Sequence, residues 1–180
     1  MTATASKWAI DPMHSEIEFK VKHLMITTVT GRFKEFSATV DSENDDFSDA
    51  QISFSATIAS ISTGNEQRDG HLKSDDFFAA DKFPILTFKS TSFKKEGNDY
   101  KLTGDMTIRD ITKQVTFDVE YSGIQNDPYG NTKAGFELTG KIKRKEFGLM
   151  WDTVTESGGI VVSDDIKIAC NIQLVKQINE

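Results

Sequence analysis

The feature that most constrains this chain is an alternation of apolar and polar side chains with a period of two, recurring in eight segments of a 180-residue sequence. Successive side chains of an extended strand point to opposite faces, so each such segment has one face for a core and one for water. Ile17, Phe19, Val21 and His23 share a face against Glu16, Glu18, Lys20 and Lys22. The same pattern appears in Phe36, Ala38 and Val40, and in Ile52, Phe54, Ala56 and Ile58. It returns in Tyr100–Ile108, Val115–Tyr121, Phe136–Ile142 and Ile166–Leu174. From Ile85 to Phe93 the alternation is ragged and does not assign an inward face, while Trp8 and Ile10 suggest an extra short strand.

Turn chemistry separates these runs: Gly97-Asn98, the short link Asp110 to Lys113, and Asp127-Pro128-Tyr129-Gly130. Short links imply antiparallel neighbours. Eight strands with one apolar face each bury those faces in either a sandwich or a closed barrel, and the scarcity of long crossovers favours the barrel. The expected fold is all-β: a single antiparallel eight-stranded lipocalin-like barrel with short helical segments, its core spanning about residues 7–177. One stretch, Glu66 to Asp81, is charged and resists the strand reading. It reads as helical turns over the barrel, with Ser74 placed to cap one.

No apolar run approaches the ~20 residues needed to cross a bilayer as a helix. The net charge of −7 argues against a nucleic-acid partner or broad attraction to anionic surfaces. Residues Met1 to Lys7 lack the basic start and apolar stretch of a secretory signal, so the cytoplasm is the expected location, and the periplasm if the sequence is a processed form. The single Cys170 sits in an apolar strand and reads as a packed thiol.

Thirteen Phe against three Tyr and two Trp supply bulky side chains with no polar atom. An eight-stranded barrel is wide enough for one small ligand. The expected apolar lining is Phe19, Val21, Phe33, Phe36, Phe54, Phe88, Met106, Ile108, Phe117 and Phe136, which suits hydrocarbon at about 0.8 kcal/mol per buried CH₂. The same residues would also serve a filled core. Candidates to meet a ligand head group are His23, at the end of an inward face, and Arg68, His71 and Arg109; Asp69 reads as an anchor for the helical segment. The three histidines, His14, His23 and His71, lack metal-ligand spacing, and no metal or other cofactor is expected. Phe147-Gly148-Leu149-Met150-Trp151 reads as an apolar plug or a lid, with Gly158-Gly159 as its hinge. No nucleophile elbow, phosphate loop or dinucleotide fingerprint is present, so no catalytic residues are assigned and the chain does not read as an enzyme.

An ordered series of short motifs runs along nearly the whole chain. It comprises Trp8-Ala9-Ile10-Asp11 with His14-Ser15, Phe19, Val21 and His23, Gly31-Arg32-Phe33, Arg68-Asp69-Gly70-His71-Leu72 and Asp76-Phe77-Phe78. Phe83 to Ser90, Thr107-Ile108-Arg109, Thr112 and Phe147-Gly148 complete it. In order and spacing the series resembles the YceI-like, polyisoprenoid-binding proteins. The resemblance implies an extended lipocalin-like barrel, a long apolar pore holding an isoprenoid chain, and often a homodimer. Asp110 departs from the family pattern, which usually has Gly there, and the export signal common in the family is absent. The expected function is binding, sequestration or transport of a long apolar lipid, most simply a polyisoprenoid with a quinone or pyrophosphate head. A fatty acid or fatty amide is the alternative cargo, and a metal- or His-dependent enzyme the remote one.

Overall fold

The computed structural model describes residues 6–24, 26–43, 47, 50–151 and 162–177. Its strands are β1 (Ser6–Ile10), β2 (Glu16–His23), β3 (Thr27–Phe33), β4 (Phe36–Ser42), β5 (Gln51–Thr57), β6 (Ile61–Ser62), β7 (Ile85–Glu96), β8 (Asp99–Ile108), β9 (Ile111–Asn126), β10 (Thr132–Lys143) and β11 (Asp165–Lys176), with one α-helix, α1 (Glu66–Lys73). All pairings are antiparallel. The order β1-β4-β5-β7-β8-β9-β10-β11 returns to β1 through Trp8, Ala9 and Ile10 against Lys176, Val175 and Leu174. That contact closes an eight-stranded barrel.

The first wall of the barrel is one long strand broken by a kink. Asp11 caps a 3-10 turn, Pro12–His14, accepting from the Met13 backbone N–H at 3.0 Å, and Pro12 fills a position that needs no donor. The kink divides β1 from β2, so β11 pairs with β2 through residues 167–171 and with β1 through residues 174–176. β3 was not legible as a strand because Gly31 interrupts its apolar face; it pairs with β2 from Ile17↔Phe33 to His23↔Thr27. The raggedness of the Ile85–Phe93 segment also has a physical cause. A bulge between Ser90 and Ser92 shifts the register, so Leu86 and Phe88 point inward before it and Phe93 after it.

α1 begins earlier than the Ser74 reading placed it. Asn65 is the cap, accepting from the Arg68 N–H at 3.0 Å, and Ser74 lies at the C-terminal end instead. The two ends of the barrel differ. At one, which we call the aromatic end, Phe93, Tyr100, Tyr121, Phe136, Phe47 and Trp8 form a chain of ring contacts with centroids 4.6 to 6.1 Å apart. Phe47 holds φ at 62° and is 1% exposed, a conformation that a bulky residue keeps only when its surroundings enforce it. The other, the helix end, carries α1, the β2–β3 and β8–β9 hairpins and residues 144–151 and 162–164 between β10 and β11.

Asp11 is the most heavily used carboxylate in the kink. Burial raises its pKa, but hydrogen bonds from His14 and from the Met13 N–H, with the charges of His14 and Lys133, outweigh burial and hold it below the usual carboxylate value. The stability it adds is therefore full above that usual value and is lost as pH falls through the lowered one. Asp11→Asn is expected to lower stability by about 1 kcal/mol at neutral pH. In urea denaturation, the difference from wild type is expected to shrink as the pH is taken below 4.

Candidate ligand cavity

Inside the barrel lies a void of about 210 Å³ bordered by side chains from all eight walls. It runs from Phe47, Ala50 and Phe93 near the aromatic end to Leu72, Phe77, Phe78 and Leu149 at the helix end. No polar atom faces it; the charged residues beside it, Glu18 and Arg144, present only carbon. Phe19, Leu138, Ile168 and Ile172 point inward yet are only half-buried, because the void leaves part of their surface uncovered. A barrel packed solid would have covered them.

What keeps the interior open is a pairing of rings with glycines on neighbouring strands. A Cβ at Gly31 would collide with the Phe19 ring, one at Gly140 with the Phe117 ring, and one at Gly104 with the Phe88 ring and the Lys89 carbonyl. Each ring lies flat against the wall over a residue without a side chain, rather than projecting towards the axis. Gly31 is the direct cross-strand partner of Phe19.

Of the residues read as lining, Phe19, Val21, Phe33, Phe54, Phe88, Met106, Ile108, Phe117 and Phe136 all border the void. Phe36 does not: its ring is stacked on Phe54 with centroids 6.4 Å apart, just past the bend at Lys34-Glu35. Cys170 borders the void on β11, and burial pushes its thiol up to about 12, so it is inert at neutral pH.

None of the four head-group candidates borders the void. His23 continues the inward parity of β2, but the β2–β3 hairpin runs past the barrel rim and leaves it exposed. Arg68 spends its guanidinium on its own entry loop, with Nε donating to Thr63 Oγ1 and Nη2 to the Thr63 carbonyl, both at 2.7 Å. Asp69 accepts from the Thr63 N–H and hydroxyl, anchoring the same loop. His71 pairs with Asp76 at 2.9 Å and is edge-on to Phe77 and Trp151. Arg109 Nη1 donates to the carbonyls of Phe77 at 2.9 Å and Gly148 at 2.8 Å, tying two covering segments to the barrel. It shares with Asp110 a two-residue hairpin turn in which both residues have positive φ, 53° and 60°, so the turn survives with Asp where Gly is easiest. His14 is committed to Asp11 at 2.8 Å, and among the described residues no three His, Cys, Asp or Glu side chains are placed to hold a metal.

The residue that sequence reading missed is Arg144. Its side chain is 2% exposed, with Nε donating to the Ser163 carbonyl and Nη1 to those of Leu149 and Trp151 at 2.7 Å. Nη2 reaches the Val162 carbonyl and the Asp164 carboxylate. One planar fork thus organises the helix end. The signal was present: Arg144 continues the inward parity of Leu138, Gly140 and Ile142. The apolar segment 147–151 closes this end as a plug through Phe147 and Leu149, both buried, while Gly158 and Gly159 lie outside the described residues.

Closed walls, covered ends and a wholly apolar interior define the class: an eight-stranded β-barrel with a lipocalin-like lumen. The YceI-like domain family model matches residues 8–174, and the chain belongs to that family. A UPF0312 protein of Staphylococcus aureus (strain USA300) is 37% identical over 169 residues, 93% of this chain and 96% of its own length. The crystal structure of the Campylobacter jejuni YceI protein is 36% identical, with a TM-score of 0.74 over 88% of this chain and 91% of that one. BcnA of Burkholderia cenocepacia gives 0.77 at 25% identity, over 91% and 98%. A polyisoprenoid binding domain from Saccharophagus degradans shares the fold, with a TM-score of 0.64 over 94% and 98% but 13% identity.

Two substitutions probe this site. Gly140→Val is expected to drive the Phe117 ring off the wall into the void at a cost of about 1–3 kcal/mol, with the strand signal in circular dichroism retained and ligand capacity lost. Arg144→Ala strands the buried Leu149 carbonyl and the part-buried carbonyls of Trp151, Val162 and Ser163, and is expected to cost about 3 kcal/mol in urea denaturation, with Arg144→Lys failing to restore it because an ammonium lacks the planar fork.

Proposed function

We propose that this protein binds a single long apolar lipid in its barrel, a polyisoprenoid chain, and sequesters or carries it without performing chemistry on it. The observation that carries the reading is the void itself, apolar from end to end. Its volume of about 210 Å³ is smaller than the ~300–1,000 Å³ of compact ligand pockets. It is drawn out along the barrel, bordered by Phe47 and Phe93 near the aromatic end and by Leu72, Phe77 and Leu149 at the helix end. That outline suits a slender chain.

Membership of the YceI-like family supports the reading, as does the shared fold with a domain described as polyisoprenoid binding. Hydrocarbon asks nothing directional of its site, and each buried CH₂ contributes about 0.8 kcal/mol. This reading needs no metal or cofactor. Because the candidate cations His23, Arg68, His71 and Arg109 stand off the void, affinity in this account comes from the chain, and a head group is left at the helix end.

Mass spectrometry of the purified protein, native and after organic extraction, is expected to find one prenyl lipid per barrel. Ala38 borders the void, and Ala38→Trp is expected to abolish that mass while leaving the fold intact. A fatty acid or amide in its place would overturn the polyisoprenoid assignment, and an empty protein that also refuses added prenyl lipid would overturn lipid binding.

A further inference from the structure

We infer that the helix end of the barrel, between the β2–β3 hairpin and the start of β11, is a docking face for an anionic lipid bilayer. The inference rests on the lipid-binding reading and names the surface from which the cargo is exchanged. Although the chain carries a net charge of −7, Lys20, Lys167 and Lys141 stand directly opposite one another on the adjacent strands β2, β11 and β10. All three point outward and are exposed. Like charges placed opposite each other destabilise a sheet, and among the described residues no carboxylate pairs with Lys20 or Lys167. Lys22, Lys143 and Lys145 extend the row to the rim. Among the described residues, the acids around these lysines are Asp165, 3.1 Å from Lys141, Asp164, 3.3 Å from Lys145, Glu146, and, one row further from the rim, Glu18, 3.4 Å from Arg32. Among the described residues, six lysines and Arg32 therefore face four acids.

Exposed apolar side chains crown this row. Ile26 is 80% exposed, Met150 59% and Leu24 39%. Leu24 holds φ at 54° in the tip of the hairpin, where Gly or Asn would be easier. Backbone contacts join these residues into one face. His23 bridges Val162, the Ser163 N–H donates to the Lys22 carbonyl at 3.0 Å, and Arg144 links Val162 and Ser163 to Leu149 and Trp151 on either side of Met150. The face also adjoins the cavity, since Val21, Leu149 and Val162 border the void one or two residues from Lys22, Met150 and Ser163. The opposite end is filled by the aromatic chain from Trp8 to Phe93.

Lysines around protruding apolar tips match an anionic surface into which the tips insert. A second copy of this chain does not match: in a two-fold contact, the lysine row would meet itself.

The test is flotation of the purified full chain with vesicles of phosphatidylcholine alone or mixed with phosphatidylglycerol. Binding to the mixed vesicles only, weakened by salt, is expected. Lys20→Gln with Lys167→Gln is expected to weaken it about 25-fold, at roughly fivefold per lysine, and Ile26→Ser with Met150→Ser on the order of tenfold. None of these four borders the void, so each variant is expected to retain its lipid by mass spectrometry. Equal binding to both vesicles, binding unchanged in both variants, or no flotation of a lipid-loaded protein would overturn the inference. So would a solution dimer that Ile26→Ser with Met150→Ser dissociates. A chain that floats as expected with an empty lumen would overturn the cargo reading and leave the docking face standing.

Discussion

Everything in this barrel depends on a three-residue contact, Trp8 to Ile10 of β1 against Leu174 to Lys176 of β11. An open sheet of these strands would expose a long unpaired edge and one apolar face; closure removes both. The contact exists because β11 is shared. Its first half holds β2 and its second half holds β1, an arrangement that the Asp11-Pro12 kink makes geometrically available. Trp8, 1% exposed, joins this seam to the ring cluster of the aromatic end through Phe47.

Closure alone would give a filled core. Eight strands rich in Phe have enough side-chain volume to pack the axis, and the interior stays open because three of those rings lie over glycines on adjacent strands. Glycine normally weakens a strand. Here Gly31, Gly104 and Gly140 exchange local strand propensity for space along the axis, which links a sequence-level oddity directly to the capacity to hold a ligand. The two ends then diverge, one sealed by hydrocarbon rings and the other held by hydrogen bonds from Arg109 and Arg144 to backbone carbonyls. Polar fastening at one end and apolar packing at the other gives the barrel a direction.

The barrel and most of its lining were legible because period two is imposed by the strand itself and survives any loop. It failed where the backbone departs from ideal geometry: at the β7 bulge, which reverses parity between Ser90 and Ser92, and in β3, where Gly31 replaces an apolar residue. Parity also overreached. It put His23 inward although β2 outruns the rim, and Phe36 on the lumen although the ring turns onto Phe54. Charge alone does not tell which arginine is engaged within the fold. Arg68 and Arg109, read as head-group candidates, donate part of their guanidinium groups to protein carbonyls, whereas Arg144, inconspicuous among lysines, is the buried one. Which cation is spent internally depends on loops that meet only in three dimensions, and no local pattern encodes it.

The central claim is that the axis of the barrel is a binding compartment, and the most direct measurement is of contacts between protein and cargo. In NMR spectra of isotope-labelled protein loaded with an unlabelled prenyl lipid, intermolecular NOEs are predicted to Phe19, Phe117, Leu138, Ile168 and Ile172, which border the void on several walls. Contacts confined to exposed residues such as Tyr129 and Met13, with the lumen signals unchanged on loading, would contradict the account.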